Sequence, residues 1–262
     1  MRTTLTILLV FFGLSVKAQT YTIIHSIGKI YDTKSEKYLT KGMRIDESAK
    51  LKFESSDAKA AVLSSSRGRF VIQEQENVAG KSEIAYALSS VLSPARGRLS
   101  TRSGGINNKL DFEKRFGEGP VAILGNTYKV AVSSTAYPMS DNRFFYASYA
   151  YKGEVINKKL SNEGDSLVFE ASDFYSVDDK SIDPAEVSDV KLFYFNATSE
   201  QSELITSLEL VVINKDDIKY LMENIGGGTT SEKEKNVAEI IAMLYGKCSE
   251  SDVRRALAKS AQ

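Results

Sequence analysis

Residues 143–160 read RFFYASYAYKGEVINKKL, and their reading decides the fold class. Aromatic and β-branched residues dominate, no proline interrupts, and Tyr151-Lys152-Gly153-Glu154 has the composition of a two-residue hairpin turn with Gly153 at positive φ. Two antiparallel strands are expected, over residues 143–151 and 154–160. Alternate residues of a strand face opposite sides, so Phe145, Tyr149 and Tyr151 share one face while Phe144 and Tyr146 share the other. One face should fill a core. The other offers an aromatic platform for a sugar ring or a partner surface, which makes Phe144 and Tyr146 candidate binding residues.

Strand signals of the same kind recur at residues 121–124, 128–132, 166–170, 190–195 and 204–213. Seven strands with turns at this spacing predict an antiparallel β-sandwich over residues 119–214. The acidic stretch 173–189 lacks the loop-to-helix spacing of a calcium site and reads as a solvated loop.

Upstream, residues 19–76 carry short strands punctuated by turns, including a hairpin from residues 60–63 to 70–72. A small β-barrel-like domain is expected there. Tyr21, Ile23 and, on the other parity, Ile24 open its first strand. His25 reads as a wall residue. Residues 77–118 read as a linker. Ile84, Leu88, Val91 and Leu92 have helical spacing with Pro94 just beyond, which predicts one amphipathic helix. The loop ARGRLSTRSGGINN at 95–108 follows, where Arg96, Arg98 and Arg102 beside a Gly-Gly pair are candidate ligands for a carboxylate or phosphate.

Residues 215–262 predict a helical tail. Ile218, Leu221, Met222 and Ile225 form one stripe, capped by Asn214 and stopped by Gly226. Ser231-x-x-Glu234 reads as the capping box of a second helix with a Val237, Ile240, Ile241 and Leu244 stripe. Ser249-x-x-Asp252 opens a third, burying Val253 and Leu257. The tail is expected to pack on its own chain or, through the Gly226-Gly227-Gly228 hinge, on a partner. The fold class expected is mainly β with α (α+β): a small N-terminal β domain, a sandwich and a helical tail.

Residues 1–18 have the layout of a cleavable signal peptide: Arg2, an apolar run over 5–16, and Val16-Lys17-Ala18 before Gln19. The run is shorter than the roughly 20 residues that cross a bilayer, so no membrane span is expected. No cysteine follows it to take a lipid. The whole chain has 34 Lys+Arg and 34 Asp+Glu; losing Arg2 and Lys17 leaves 32 against 34, a net charge of −2. Such balance gives no field to hold nucleic acid. Cys248 is the sole cysteine and His25 the sole histidine. No intrachain disulfide can form, and neither a catalytic constellation nor a metal or cofactor site is expected. Asp165-Ser166-Leu167 resembles a short O-glycosylation acceptor of some Gram-negative envelopes.

The order Ile27-Gly28-Lys29-Ile30, Leu39-x-x-Gly42-x-x-Ile45, Leu51-x-Phe53, Ala58-x-Ala60-Ala61-Val62-Leu63 and Gly68-Arg69-Phe70 resembles the strand-and-turn pattern of FecR-type periplasmic domains. The resemblance implies a small β domain of the Gram-negative envelope, engaged in protein–protein signalling or scaffolding. The anti-sigma segment and spanning helix of the signalling members have no counterpart here, which leaves an envelope β module. The function expected is that of a non-catalytic soluble envelope protein acting through an envelope protein partner, in the periplasm or else outside the cell. The alternative is a glycan or peptidoglycan binder using the aromatic strand and the basic loop, and a hydrolase is the third class.

Overall fold

The computed structural model describes residues 19–64, 67–74, 86–94 and 105–258. The leader and the loop bearing Arg96, Arg98 and Arg102 lie outside them. The chain is mainly β, with several antiparallel sheets and its longer helices at the C-terminal end.

The N-terminal strands are β1 (Thr20–Ile27), β2 (Ile30–Asp32), β3 (Lys37–Tyr38), β4 (Arg44–Asp46), β5 (Lys50–Phe53), β6 (Lys59–Ser64), β7 (Gly68–Gln73), β8 (Tyr86–Ala87) and β9 (Leu92–Pro94). They form two sheets, ordered β4-β1-β6-β7-β9 and β3-β2-β5-β8, and no closed barrel. Tyr21, Ile23, Ala60, Val62 and Ile72 of the first pack with Ile30, Leu51, Phe53 and Tyr86 of the second. The opposite face of the first sheet, with Ile24, Ala61 and Val71, packs on helices. Cover on both faces explains why Ala60-Ala61-Val62-Leu63 is apolar at both parities. It also explains the change of parity in β1. Ile23 enters the sheet–sheet core and Ile24 faces the helices by ordinary alternation, after which the register with β6 slips between Ile23 and His25, and this bulge sets Ile27 on the helix side with Ile24.

The amphipathic helix expected around Leu88 is corrected. Among the described residues only one turn, α1 (Leu88–Val91), is helical, between β8 and β9. Pairing of β8 with β5 and of β9 with β7 overrides the local period. Leu88 and Val91 are buried all the same, in the sheet–sheet core.

The next part comprises α2 (Lys109–Phe112) running into a π-turn at Glu113–Gly117, then β10 (Val121–Leu124), β11 (Thr127–Ala131), β12 (Arg143–Tyr151), β13 (Glu154–Lys159), β14 (Ser161–Glu163), β15 (Ser166–Glu170), α3 (Ala171–Phe174), β16 (Ser176–Val177), β17 (Lys180–Ser181), β18 (Val187–Asn196), β19 (Gln201–Ser207) and β20 (Leu210–Ile213). Sheets β13-β12-β18-β19 and β11-β15-β14 share one core. Phe145, Ala147 and Tyr149 meet Leu167 and Phe169, with Phe112 and Phe116 in the same cluster. The β12–β13 hairpin turns at Lys152 and Gly153 with φ of 50° and 85°, the double positive φ of a type I′ turn.

Two expectations change here. Residues 204–213 are not one strand: β19 stays in the four-stranded sheet, while β20 pairs in parallel with β10. The acidic stretch is not a plain loop either, because β16 and β17 form a hairpin around Asp178 and Asp179, at φ 49° and 60°.

Helices α4 (Lys215–Asn224), α5 (Thr230–Leu244) and α6 (Glu250–Ala258) complete the chain. Ile218, Leu221, Val237, Ile240, Ile241, Leu244 and Val253 cluster with Ile24, Ala61 and Val71 on one side and Ala122, Leu124 and Ile213 on the other. The tail therefore packs on its own chain, as a layer between the N-terminal sheet and the β10–β20 pair. Its middle helix starts earlier than expected. Thr229 and Glu232 form the capping box, and Glu234, 6 % exposed, instead receives Arg254 Nε and Nη2 at 3.0 and 2.9 Å, tying α5 to α6. The third cap is as expected: Ser249 and Asp252 exchange bonds of 3.0 and 3.2 Å. Between α5 and α6 the chain joins β10 edgewise, Lys247 donating to Pro120 O at 2.7 Å and accepting from Ala122 N at 3.0 Å.

Candidate functional site

Directly opposed residues of neighbouring strands share a face, so the register builds the outer surface of the four-stranded sheet. Phe144 lies opposite Phe195 and Tyr146 opposite Phe193. Phe193 is opposite Leu204 on β19, and Tyr146 is opposite Lys159 on β13. The result is a half-buried patch of four rings extended by Leu204, 42 % exposed; Val155, 71 % exposed, lies opposite Ala150 on the edge strand.

The ring geometry limits what this patch can hold. Tyr146 and Phe193 are stacked, 5.1 Å between centroids and 9° between planes, so each covers a face of the other. Phe144 and Phe195 are tilted by 48° at 5.2 Å. Lys159 Nζ sits 4.5 Å from the Phe144 centroid and 3.9 Å from Asp141. Stacking of a sugar needs an open ring face. Here Tyr146 and Phe193 each give one face to the other, while the rings and Leu204 together form a continuous apolar area.

Phe144 and Tyr146, expected from the alternation of residues 143–151, are thus brought together on one face, while Phe145 and Tyr149 enter the core. Phe193, Phe195 and Leu204 were missed as site residues. Their signal was present, since Phe193 and Phe195 have the same alternation in a neighbouring strand, but which strands adjoin is not a local property. The position of Arg96, Arg98 and Arg102 relative to the patch lies outside the described residues.

Elsewhere, several polar groups of the described residues are engaged within the fold. A crevice of ≈ 50 Å³ lined by Leu124, Tyr128, Lys215, Asp252 and Arg255 lies between the β10–β11 turn and the helices, far below the ~300–1,000 Å³ of ligand pockets. The Tyr128 hydroxyl there accepts from Arg115 Nε at 2.6 Å, and burial pushes its phenol up to about 12. Asp252 is held by Ser249 and, at 3.3 Å, by Arg255 Nη1. Among the described residues no group of His, Cys, Asp and Glu is placed to hold a metal ion.

Cys248 is 1 % exposed, and burial, aided by the Asp252 charge, pushes its thiol well above the ordinary value. A thiolate is the reactive form. Thiol labelling of the native protein at pH 7.5 is expected to be at least about a hundredfold slower than in urea; comparable rates would contradict this burial.

The chain matches no protein-family model and no curated protein.

Proposed function

We propose that the protein is a non-catalytic scaffold or accessory module of the cell envelope, exported by its leader and acting through protein contact on the outer aromatic face. The observation that carries this reading is the Phe144, Tyr146, Phe193, Phe195 and Leu204 surface, half-exposed rings and an aliphatic side chain gathered on one sheet face. The signal-peptide layout of residues 1–18 and the FecR-type pattern of residues 27–70 support the envelope address. Interfaces concentrate binding energy in such aromatic centres, where truncating one anchor typically costs about 2 kcal/mol or more.

A photo-crosslinking residue at position 204, compared with one at exposed Lys235 on α5, tests the proposal in intact cells. A discrete protein adduct is expected from position 204, and Phe193→Ala should weaken it at least about tenfold. No adduct at 204, or equal adducts at 235, would sink the reading. Retention on purified cell-wall glycan that is abolished by Tyr146→Ala would replace it with the glycan alternative.

A further inference from the structure

A polar constellation bridges the seam between the N-terminal sheet and the helices. His25 Nε2 is hydrogen-bonded to the Tyr245 hydroxyl at the end of α5, their ring centroids 5.5 Å apart. Its Nδ1 lies 4.0 Å from Asp217 Oδ1 of α4. Asp217 also holds Lys41 Nζ at 3.2 Å, and that ammonium sits 3.7 Å from the Tyr220 ring centroid. The imidazole is 14 % exposed. The β1 bulge creates this meeting. Strict alternation would put His25 on the same side as Ile23, in the sheet–sheet core. The slipped register sets it opposite Ala61, whose side chain packs among the helices. Bulges re-aim single side chains in this way.

We propose that His25, Tyr245, Asp217 and Lys41 form an acid-released latch, in which neutral His25 holds the N-terminal sheet on the helical layer and protonated His25 lets the seam open.

A neutral imidazole has one N–H and one acceptor nitrogen. With Nε2 accepting the phenol hydrogen, the ring proton is on Nδ1, turned to Asp217. Burial also pushes the Tyr245 phenol up, so it remains a donor. Protonation of Nε2 replaces its acceptor lone pair by an N–H, so the bond survives only if the phenol turns its hydrogen away and accepts instead. The groups facing His25 are Asp217, Lys41 and Tyr245. Because Lys41 already balances Asp217, the added proton leaves a net cation in a half-buried seam, which is unfavourable.

The direction of the pH effect follows. Burial holds His25 below its ordinary value of 6.5, with the Asp217 carboxylate opposing and Lys41 assisting. The unfolded chain therefore binds the proton first as pH falls. Stability is present in full above pH 6.5 and declines from there down to the folded value. Within that window the folded-to-unfolded ratio falls up to about tenfold per pH unit.

Having one histidine makes the test clean. Its imidazole Cε1–H resonance should titrate with a midpoint below 6.5. Buried Cys248 reports opening of the helical layer through 4,4′-dithiodipyridine, which reacts at acid pH. His25→Gln keeps an acceptor for Tyr245 but cannot titrate. At pH 5 the wild type should label several-fold faster than His25→Gln, and at pH 7.5 the two should match. Tyr245→Phe should label as the open form at both values. A midpoint at or above 6.5, or the same wild-type to His25→Gln ratio at both pH values, overturns the latch. If His25→Gln does not fold at pH 7.5, Tyr245→Phe decides alone: its labelling, corrected for the free-thiol rate, must lose the pH dependence of the wild type.

Discussion

Replacing Gly246 by alanine is expected to destabilise the protein by about 2–6 kcal/mol, combining backbone strain of about 1–3 with overpacking of a similar size. Gly246 has φ +116°, outside the range a side chain readily accepts, and a Cβ there would lie 2.2 Å from the Pro120 carbonyl oxygen. That carbonyl is fixed by its bond from Lys247 N, so the clash cannot relax without detaching residues 246–248 from β10. Gly153→Ala is the matched control. Its φ is +85° in an exposed hairpin turn, and an added Cβ meets nothing within 4 Å, so strain alone of about 1 kcal/mol should appear. Urea unfolding of both variants reads the difference. Equal midpoints would show that the contact with Pro120 is not close.

The second large effect is expected at Phe145, with its neighbour Tyr146 as the contrast. Phe145 is 1 % exposed, its ring 4.9 Å from Tyr194, 5.3 Å from Phe112 and 5.6 Å from Tyr137. Phe145→Ala removes a ring from the centre of three aromatic neighbours and should cost about 3–5 kcal/mol. Tyr146→Ala, one residue on and facing out, should cost below about 1.5 kcal/mol, chiefly the stacking on Phe193, while weakening the envelope adduct. Calorimetry that ranked Tyr146 above Phe145 would invert the assignment of faces.

These adjacent residues show what was legible in the sequence. The two faces of β12 follow from period-two alternation in an aromatic run, and the Lys152-Gly153 turn from the φ that glycine allows. The helical tail was legible for the same reason: Val237, Ile240, Ile241 and Leu244 repeat at helical spacing, and Ser249-x-x-Asp252 caps as written. What failed depended on partners distant in the chain. One helical turn between β8 and β9 satisfies the Leu88 and Val91 spacing, because β5 and β7 supply ladders for the two flanks. The division of residues 204–213 between two sheets follows from β10 accepting a parallel partner. The α5 cap was ambiguous locally, since Thr229-x-x-Glu232 and Ser231-x-x-Glu234 overlap. The earlier frame leaves Glu234 buried against Arg254, a contact no short window contains. The aromatic site was half legible: Phe144 and Tyr146 from their own strand, Phe193 and Phe195 only once β18 was known to lie beside it.

The sheet β4-β1-β6-β7-β9, covered on one face by strands and on the other by α4 and α5, also constrains the order of assembly. Its strands come from the first part of the chain and its second cover from the last, so its two faces close at very different times during synthesis. Until residues 215–244 are made, Ile24, Ala61 and Val71 lack their helical cover, and a partial chain presents an apolar sheet face prone to association. Contacts this far apart in sequence also slow folding. Fragments that stop before α4 should therefore aggregate, and the N-terminal sheet should reach its final packing only in the finished chain.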